Sequence, residues 1–490
     1  MKEKKYKKNI IALSCILLFF SGCSVYHVHK FDRPPVKVPD NFLQGEGGSG
    51  NISQWWKEFK QPALNELVEI AFRQNFDLRQ AWDRLAQAKA AACIVNSEMY
   101  PEINLTTTAE FTHQINHRND TNTSYMGYLV APTLSYEVDL WRRIDSRIMA
   151  ADLNYCATKE EVEATALFLS GAVTNSWFTI QEQKALLDLI NYQVEVSETL
   201  LELVELRFSL GQSSALDVYQ QRLQLEETRI TAIPVKAALQ NASHQLSILL
   251  GYPPTEFWSA DLQFTQIELP PFPYMGTPAE LIQRRPDLRA AHYRVESADF
   301  EVAAAIADIY PKLTLPTLYE LRTRDIGQLF QEELFRIATR FVTPIIDGCR
   351  RRCEVNRRKA ILAERLDNFA QRFLVSLQEV EDAVVNEEAE LEVLEQLGKQ
   401  VKIARLNLDE ARLRYATGLN DYLTVISAIQ AVQRLERRMI LDKRILLVNR
   451  STLYRALGSP ALFGCPERTE SEPGIFTWNE GEIGEFNEEF

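Results

Sequence analysis

The sequence RFSLGQSSALDV at residues 207–218 returns as RYATGLNDYLTV at residues 414–425, with arginine, aromatic, glycine, leucine and valine in register. Gly211 and Gly418 can adopt the left-handed conformation that ends a helix. Polar residues that follow each glycine can cap the next helix, namely Ser213 or Ser214 and Asn420 or Asp421. Each copy is therefore predicted to be a short turn between two helices.

The residues before each turn form a predicted coiled-coil seam, because apolar or small side chains recur there in steps of three and four. The two seams consist of Leu187, Ile190, Val194, Ser197, Leu201, Val204 and Phe208, and of Leu394, Leu397, Val401, Ala404, Leu408, Ala411 and Tyr415. No proline lies at 133–233 or at 345–459. A helix from about residue 142 to about 208 would be about 100 Å long, far longer than a globular domain uses. A mainly helical fold is predicted.

Both halves of the chain begin alike. Pro62 opens a predicted amphipathic helix, and a second helix begins at Asn75 and ends before Tyr100. The counterpart of the second helix begins at Arg285 and ends before Tyr310. The offset is 210 residues here and 207 residues at the turns, so the chain is predicted to be a duplicated unit.

Alternating segments after each Tyr-Pro pair predict one β-hairpin in each half. The first hairpin joins residues 103–109 and 128–138 through a polar loop at 113–125. The second joins residues near 312–319 and 336–346 and contains Pro316 inside its first strand. Four strands are too few to close a barrel, and open sheet edges are not tolerated in lipid. Several protomers would therefore have to pool their strands.

The two ends of the chain have distinctive compositions. Five lysines at residues 2–8 precede an apolar run at 10–20 and then Cys23, a pattern that resembles a bacterial lipoprotein signal. An ordinary secretory signal with a chance cysteine is the other interpretation. At the opposite end, residues 465–490 carry eight glutamates and one arginine, which accounts for over half of the formal net charge of −13. This charge disfavours nucleic-acid binding.

The chain is divided accordingly into six parts. They are a lipoprotein signal peptide at 1–22, a lipidated tether at 23–51, a first repeat at 52–250, a connector at 251–276, a second repeat at 277–458 and an acidic tail at 459–490.

Together and in order, these features resemble the TolC-like outer-membrane efflux duct family, in particular its lipoprotein branch that serves resistance-nodulation-division drug pumps. The motifs that carry the resemblance are Cys23, Trp55-Trp56 with Phe59, YEVDLW at 136–141, LLGYPP at 249–254, LIQRRPDLR at 281–289, Asp347-Gly348 and the two turns. The resemblance implies a lipid-anchored homotrimer in the outer membrane. Its β-barrel would have twelve strands, four from each protomer, above an α-barrel of twelve long helices in the periplasm.

The resemblance also implies a passive exit duct for drugs or toxic small compounds, with no catalysis and no cofactor. A proton-driven inner-membrane pump and a periplasmic adaptor would be its partners. By position, Asp217 and Tyr415 match residues that bond across the closed mouth. Thr424 and Ser427 match aspartates that ring the pore in some relatives, so this mouth would lack that acidic ring. Each residue also has a purely structural interpretation. Asp217 could be an acid in the first turn of a helix, where the helix dipole favours it, and Tyr415 could be simply the last position of its seam.

Other functional classes find less support in the sequence. No phosphate-binding loop, nucleophile elbow or zinc-protease motif occurs, and Cys349 with Cys353 lacks the further ligands that zinc requires. Carboxylate-rich runs such as 379–382 and 387–388 are typical of a solvated helix face or a polar tunnel lining. Two alternatives remain open: a lipid-anchored periplasmic coiled-coil scaffold without a barrel, and the exit duct of a protein secretion system.

Overall fold

The structure is a computed structural model that describes residues 25–31, 33–43, 54–118, 120–254, 264 and 267–458. The signal peptide, Cys23 and the acidic tail lie outside these residues, so the predictions made for them rest on sequence alone.

The first half contains helices α1 (Pro62–Gln74) and α2 (Phe76–Asn96), strands β1 (Glu102–Asn116), β2 (Thr121–Ser135) and β3 (Glu137–Val138), and helices α3 (Arg143–Ser209) and α4 (Ala215–Leu249). The second half contains α5 (Leu281–Arg284), α6 (Pro286–Ala307), β4 (Lys312–Thr314), β5 (Thr317–Thr323), β6 (Glu333–Ile337), β7 (Arg340–Val342), α7 (Arg350–Ala416) and α8 (Tyr422–Ala456). The mainly helical fold is confirmed. Both α3 and α7 have 67 residues.

Local capping explains where several helices begin. Asn75 Oδ1 accepts hydrogen bonds from the backbone N–H groups of Asp77 and Leu78, which are otherwise unpaired at the start of α2. The carboxylate of Asp139 does the same for α3, because it accepts from the backbone of Arg143 at 2.7 Å and of Asp145 at 2.8 Å. Each of these two polar residues stabilises the point at which the chain turns into a new helix.

The first hairpin is longer than its sequence predicts. The predicted loop at 113–125 is wrong, because β1 and β2 pair continuously from Glu102 with Ser135 to Asn116 with Thr121. Strand pairing uses the backbone, and β-branched threonines favour it, so side-chain polarity does not end the ladder. Only residues 117–120 remain between the two strands.

The second hairpin is more broken than predicted. Pro316 has no N–H group to donate, and the predicted first strand splits there into β4 and β5. The predicted second strand ends at Val342 rather than at residue 346. The described strands therefore form two antiparallel sheets, with the orders β1-β2-β5-β6 and β3-β4-β7.

The apolar core follows the long helices in three clusters. The first packs α1 and Trp55, Trp56 and Phe59 against α3, and the second packs α6 against α7. The third lies near the turns and includes Val204, Leu408 and Val425. Most seam positions are buried or partly buried within the single protomer, and Phe208 is 48% exposed there.

Candidate functional site

The two repeated turns have the same backbone geometry. Gly211 has φ of 69° and Gly418 has φ of 75°, the left-handed conformation that the sequence predicts. In the first turn the Gln212 N–H donates to the Arg207 carbonyl, and in the second the Leu419 N–H donates to the Arg414 carbonyl, at 2.8 Å each. These bonds satisfy carbonyl groups at the helix ends. Since a Cβ at either glycine would meet no atom within 4 Å, only the backbone angle demands glycine there.

The caps that follow the turns differ. Ser214 and Asp217 form a reciprocal capping box at the start of α4, in which each side chain accepts from the other residue's backbone N–H. Asp421 occupies the equivalent position before α8, but its side chain makes no capping hydrogen bond. The sequence prediction that Asp421 caps the helix through its carboxylate is therefore wrong.

Asp217 and Tyr415 are brought together across the two turns. The Tyr415 hydroxyl donates to Asp217 Oδ2 at 3.2 Å, and the Arg207 guanidinium lies 4.9 Å from the centre of the tyrosine ring. Partial burial raises the pKa of Tyr415, and the nearby Asp217 carboxylate raises it further. The hydroxyl therefore keeps its proton and remains a donor. The gating role of this contact stays a prediction.

Sequence reasoning missed a second link between the two helical hairpins. Tyr422 is buried, its ring centre lies 4.8 Å from that of Tyr415, and its hydroxyl donates to Gln221 at 2.9 Å. Gln221 in turn donates to the Ser197 carbonyl. The signal in the sequence was weak, because a tyrosine and a glutamine next to a seam are usually assigned to packing and to solvent.

Thr424 and Ser427 lie on the exposed side of α8, three residues apart and just beyond the second turn. The Ser427 hydroxyl donates to the Leu423 carbonyl at 2.9 Å, so it is turned towards its own helix. The structure thus places both residues on one accessible face near the turn. Neither brings a negative charge to that face, and their role at a pore constriction stays a prediction.

In the longer sheet, strand β1 separates apolar from polar side chains most clearly. On β1, apolar side chains at odd positions are exposed, among them Ile103, Leu105, Phe111 and Ile115, while even positions carry polar residues. Pairing places Leu134 of β2 opposite Ile103, Pro132 opposite Leu105 and Met126 opposite Phe111. The outer strands β1 and β6 each have one paired neighbour among the described residues. No described helix has the length and apolarity needed to cross a membrane.

The part of the chain that the structure describes contains no candidate metal-binding site. No group of three or more His, Cys, Asp or Glu side chains is arranged there to hold an ion. Cys349 and Cys353 are exposed free thiols.

Comparison with known proteins is consistent with this arrangement. The family model described as "Outer membrane efflux protein" matches residues 67–252 and 277–459. "Pyoverdine export outer membrane protein OpmQ" of Pseudomonas putida is 26% identical over 83% of this chain and 87% of its own length. "Probable outer membrane lipoprotein SilC" of Salmonella typhimurium is 23% identical over 92% and 99%. The crystal structure of the Campylobacter jejuni CmeC outer membrane channel has a TM-score of 0.80 and 19% identity, covering 95% of this chain and 98% of that one.

Proposed function

The chain belongs to the outer membrane efflux protein family, and we propose that three copies of it form the exit duct of a tripartite efflux system for small toxic compounds. The observation that carries this proposal is the sheet with exposed apolar side chains along β1 and two open edges, joined directly to helices of 67 residues. Such a sheet is unfavourable in water and as a lone unit in lipid, so it needs copies of itself.

The proposed barrel follows from the strand inventory. Strand β1 is continuous, whereas β2 with β3, β4 with β5, and β6 with β7 are each one length of strand with a short interruption. Each protomer therefore supplies four lengths of strand, and three protomers would supply twelve. Strands β1 and β2 have 15 residues each, which exceeds the roughly 9–11 residues that a tilted strand needs to cross a bilayer. The exposed apolar side chains of β1 would then face lipid and its polar side chains the lumen. These long hairpin strands argue against the alternative of a periplasmic scaffold without a barrel.

The proposed anchor is a lipid on Cys23. The sequence before Cys23 has the charge and apolar run of a lipoprotein signal, and the relative SilC is itself described as a lipoprotein. Two or more acyl chains would hold the chain stably at the membrane. The partners in this proposal are a periplasmic adaptor and an inner-membrane pump that supplies energy, and the pump would choose the compounds.

Efflux is tested in cells that lack the gene. We expect them to accumulate more of a fluorescent efflux dye than the parent strain, and the full-length gene to restore the parent level. A matched gene with residues 102–135 deleted removes the first hairpin and should restore nothing. Unchanged dye accumulation after gene loss, for every dye tested, would contradict the proposal, as would full rescue by the gene without the hairpin.

The contact of Tyr415 with Asp217 gives the first prediction. Tyr415→Phe removes one hydrogen bond, worth roughly 1 kcal/mol per protomer, so three protomers acting together would shift the mouth by about a hundredfold towards the open state. The measurement is open probability in planar bilayers. Tyr219→Phe is the matched control, because Tyr219 is exposed on the same helix as Asp217. Equal open probability in Tyr415→Phe and Tyr219→Phe would show that the contact of Tyr415 with Asp217 does not gate the mouth.

The uncharged pair Thr424 and Ser427 gives the second prediction. We expect weak block of this mouth by a trivalent cation added on the periplasmic side, because no carboxylates ring the pore at these positions. Thr424→Asp with Ser427→Asp would place six carboxylates there in a trimer and should strengthen the block at least tenfold. Block of the unmodified channel as strong as that of the variant would show that these positions do not control cation entry.

A further inference from the structure

A cavity of about 360 Å³ lies where four helices of the two halves meet. It is lined by residues of α2, α3, α6 and α7, which contact one another in that order. Its charged lining consists of Arg84, Arg294, Arg365, Arg372, Glu161 and Asp287. Four guanidinium groups therefore face two carboxylates, an excess of two positive charges in a chain whose formal net charge is −13.

Both carboxylates of the cavity are already paired. Glu161 accepts from Arg294, and the two oxygens of Asp287 accept from Arg285 at 2.9 and 3.0 Å. Within the described ranges, the other three guanidinium groups have no carboxylate within 4.0 Å; they belong to Arg84, Arg365 and Arg372. Arg372 donates to Asn368, another lining residue of the cavity, at 2.8 Å. The cavity thus holds cationic donors that the chain itself does not neutralise.

The cavity lies on the face of α6 that carries Asp287, Ala290, Ala291 and Arg294. Residues 26–31 contact a different face of α6, where Tyr26 donates to Asp299 at 2.7 Å and His292 contacts the Phe31 carbonyl at 2.9 Å. Arg294 lies two residues after His292, about 200° further round the helix at 3.6 residues per turn. A covering segment that leads from a lipid anchor runs outside a duct, so the opposite face lines its lumen. This assignment to the lumen rests on the proposed function.

We propose that this cavity is an anion-binding site on the duct wall, which takes the carboxylate or phosphate groups of solutes in transit. Guanidinium groups bind both kinds of anion through paired, charge-assisted hydrogen bonds. The volume lies within the range of small-molecule sites. Because the cavity is open and its arginines are solvated, solutes enter and leave it readily, as conduction requires.

Binding is tested by calorimetric titration of the full-length protein in detergent, with citrate as the carboxylate probe and pyrophosphate as the phosphate probe. We expect Arg84→Gln with Arg365→Gln to weaken binding about tenfold or more. Arg73→Gln with Arg79→Gln removes the same charge from exposed positions outside the cavity and should leave binding unchanged. Arg372→Gln alone should weaken it less than the double variant. No binding of either probe, or equal loss in the cavity and control variants, would overturn the site.

The lumenal position is tested separately by the reversal potential of single channels in a KCl gradient. Loss of Arg84 and Arg365 should shift the reversal potential towards that of K⁺, and the control variant should not. A protein that binds anions but stays silent even with Tyr415→Phe and Asp217→Asn combined would refute the duct and leave the anion-binding site standing. A channel whose selectivity does not change in the cavity variant would overturn the placement of the site on the duct wall.

Discussion

Replacing Arg289 with methionine should destabilise the fold by about 3–5 kcal/mol, because two buried carboxylates lose the guanidinium that bonds both of them. The guanidinium bonds Glu160 and Glu163 at 2.7 Å each, and the side chains of these glutamates are only 3% and 7% exposed. It also donates to the carbonyls of Gln283 and Arg284. These bonds tie α6 of the second half to α3 of the first, so their loss weakens the contact between the halves.

The cause is checked with a compensated variant. Arg289→Met combined with Glu160→Gln and Glu163→Gln leaves no unpaired buried charge and should recover most of the lost stability. Arg222→Met is the surface control, since Arg222 and Glu205 pair at 2.7 Å with both side chains over 40% exposed, and it should cost less than about 1 kcal/mol. Thermal unfolding of the purified protein measures all three. A compensated variant as unstable as Arg289→Met alone would show that packing, not charge, explains the loss.

Replacing Arg450 with methionine should have an effect of similar size, about 3–5 kcal/mol. Arg450 bonds both oxygens of Glu387, at 2.7 and 2.5 Å, and the two side chains are 5% and 3% exposed. The same guanidinium donates to the Pro270 carbonyl and lies over the ring of Phe272. The variant would therefore leave a buried carboxylate unpaired and weaken the hold of α8 on the connector, which the bond from the Tyr454 hydroxyl to the Pro271 carbonyl still maintains.

Two further variants separate these contributions. Arg450→Met with Glu387→Met removes both charges and should be far more stable than the single variant, because a buried pair contributes little net stability when it is removed whole. Arg450→Lys keeps the charge but loses the paired geometry and should lie in between. The readout is the unfolding temperature, with limited proteolysis at 267–277 reporting on the connector. Equal unfolding temperatures for Arg450→Met and the unmodified protein would contradict the account.

The long helices and the turns were predictable because their causes are local. Steps of three and four residues set the seams, and a glycine in the left-handed conformation is needed at each helix end. Because the chain is duplicated, the seam and the turn each occur in both halves, and each copy supports the prediction made for the other. Residues brought together from distant parts of the chain were not predictable in this way. Glu387 lies in a carboxylate-rich run that predicts a solvated face, yet Arg450, 63 residues further on, covers it.

The strands and the site show the same limit. The predicted loop at 113–125 was wrong because backbone pairing continued through polar residues, and Pro316 divided a strand because it cannot donate to the ladder. The contact of Asp217 with Tyr415 came from family resemblance and not from spacing, since 198 residues separate the two. Tyr422 gave only a weak local signal and the arginine cavity gave none, because each depends on helices from both halves.

Single-channel conductance of the purified full-length protein, with its oligomer mass measured in the same preparation, tests the central claim most directly. We expect a trimer that gives discrete conducting steps, with longer open times when Tyr415→Phe and Asp217→Asn are combined. A trimer or a monomer that stays silent even with both substitutions would contradict a duct and would favour a periplasmic scaffold instead.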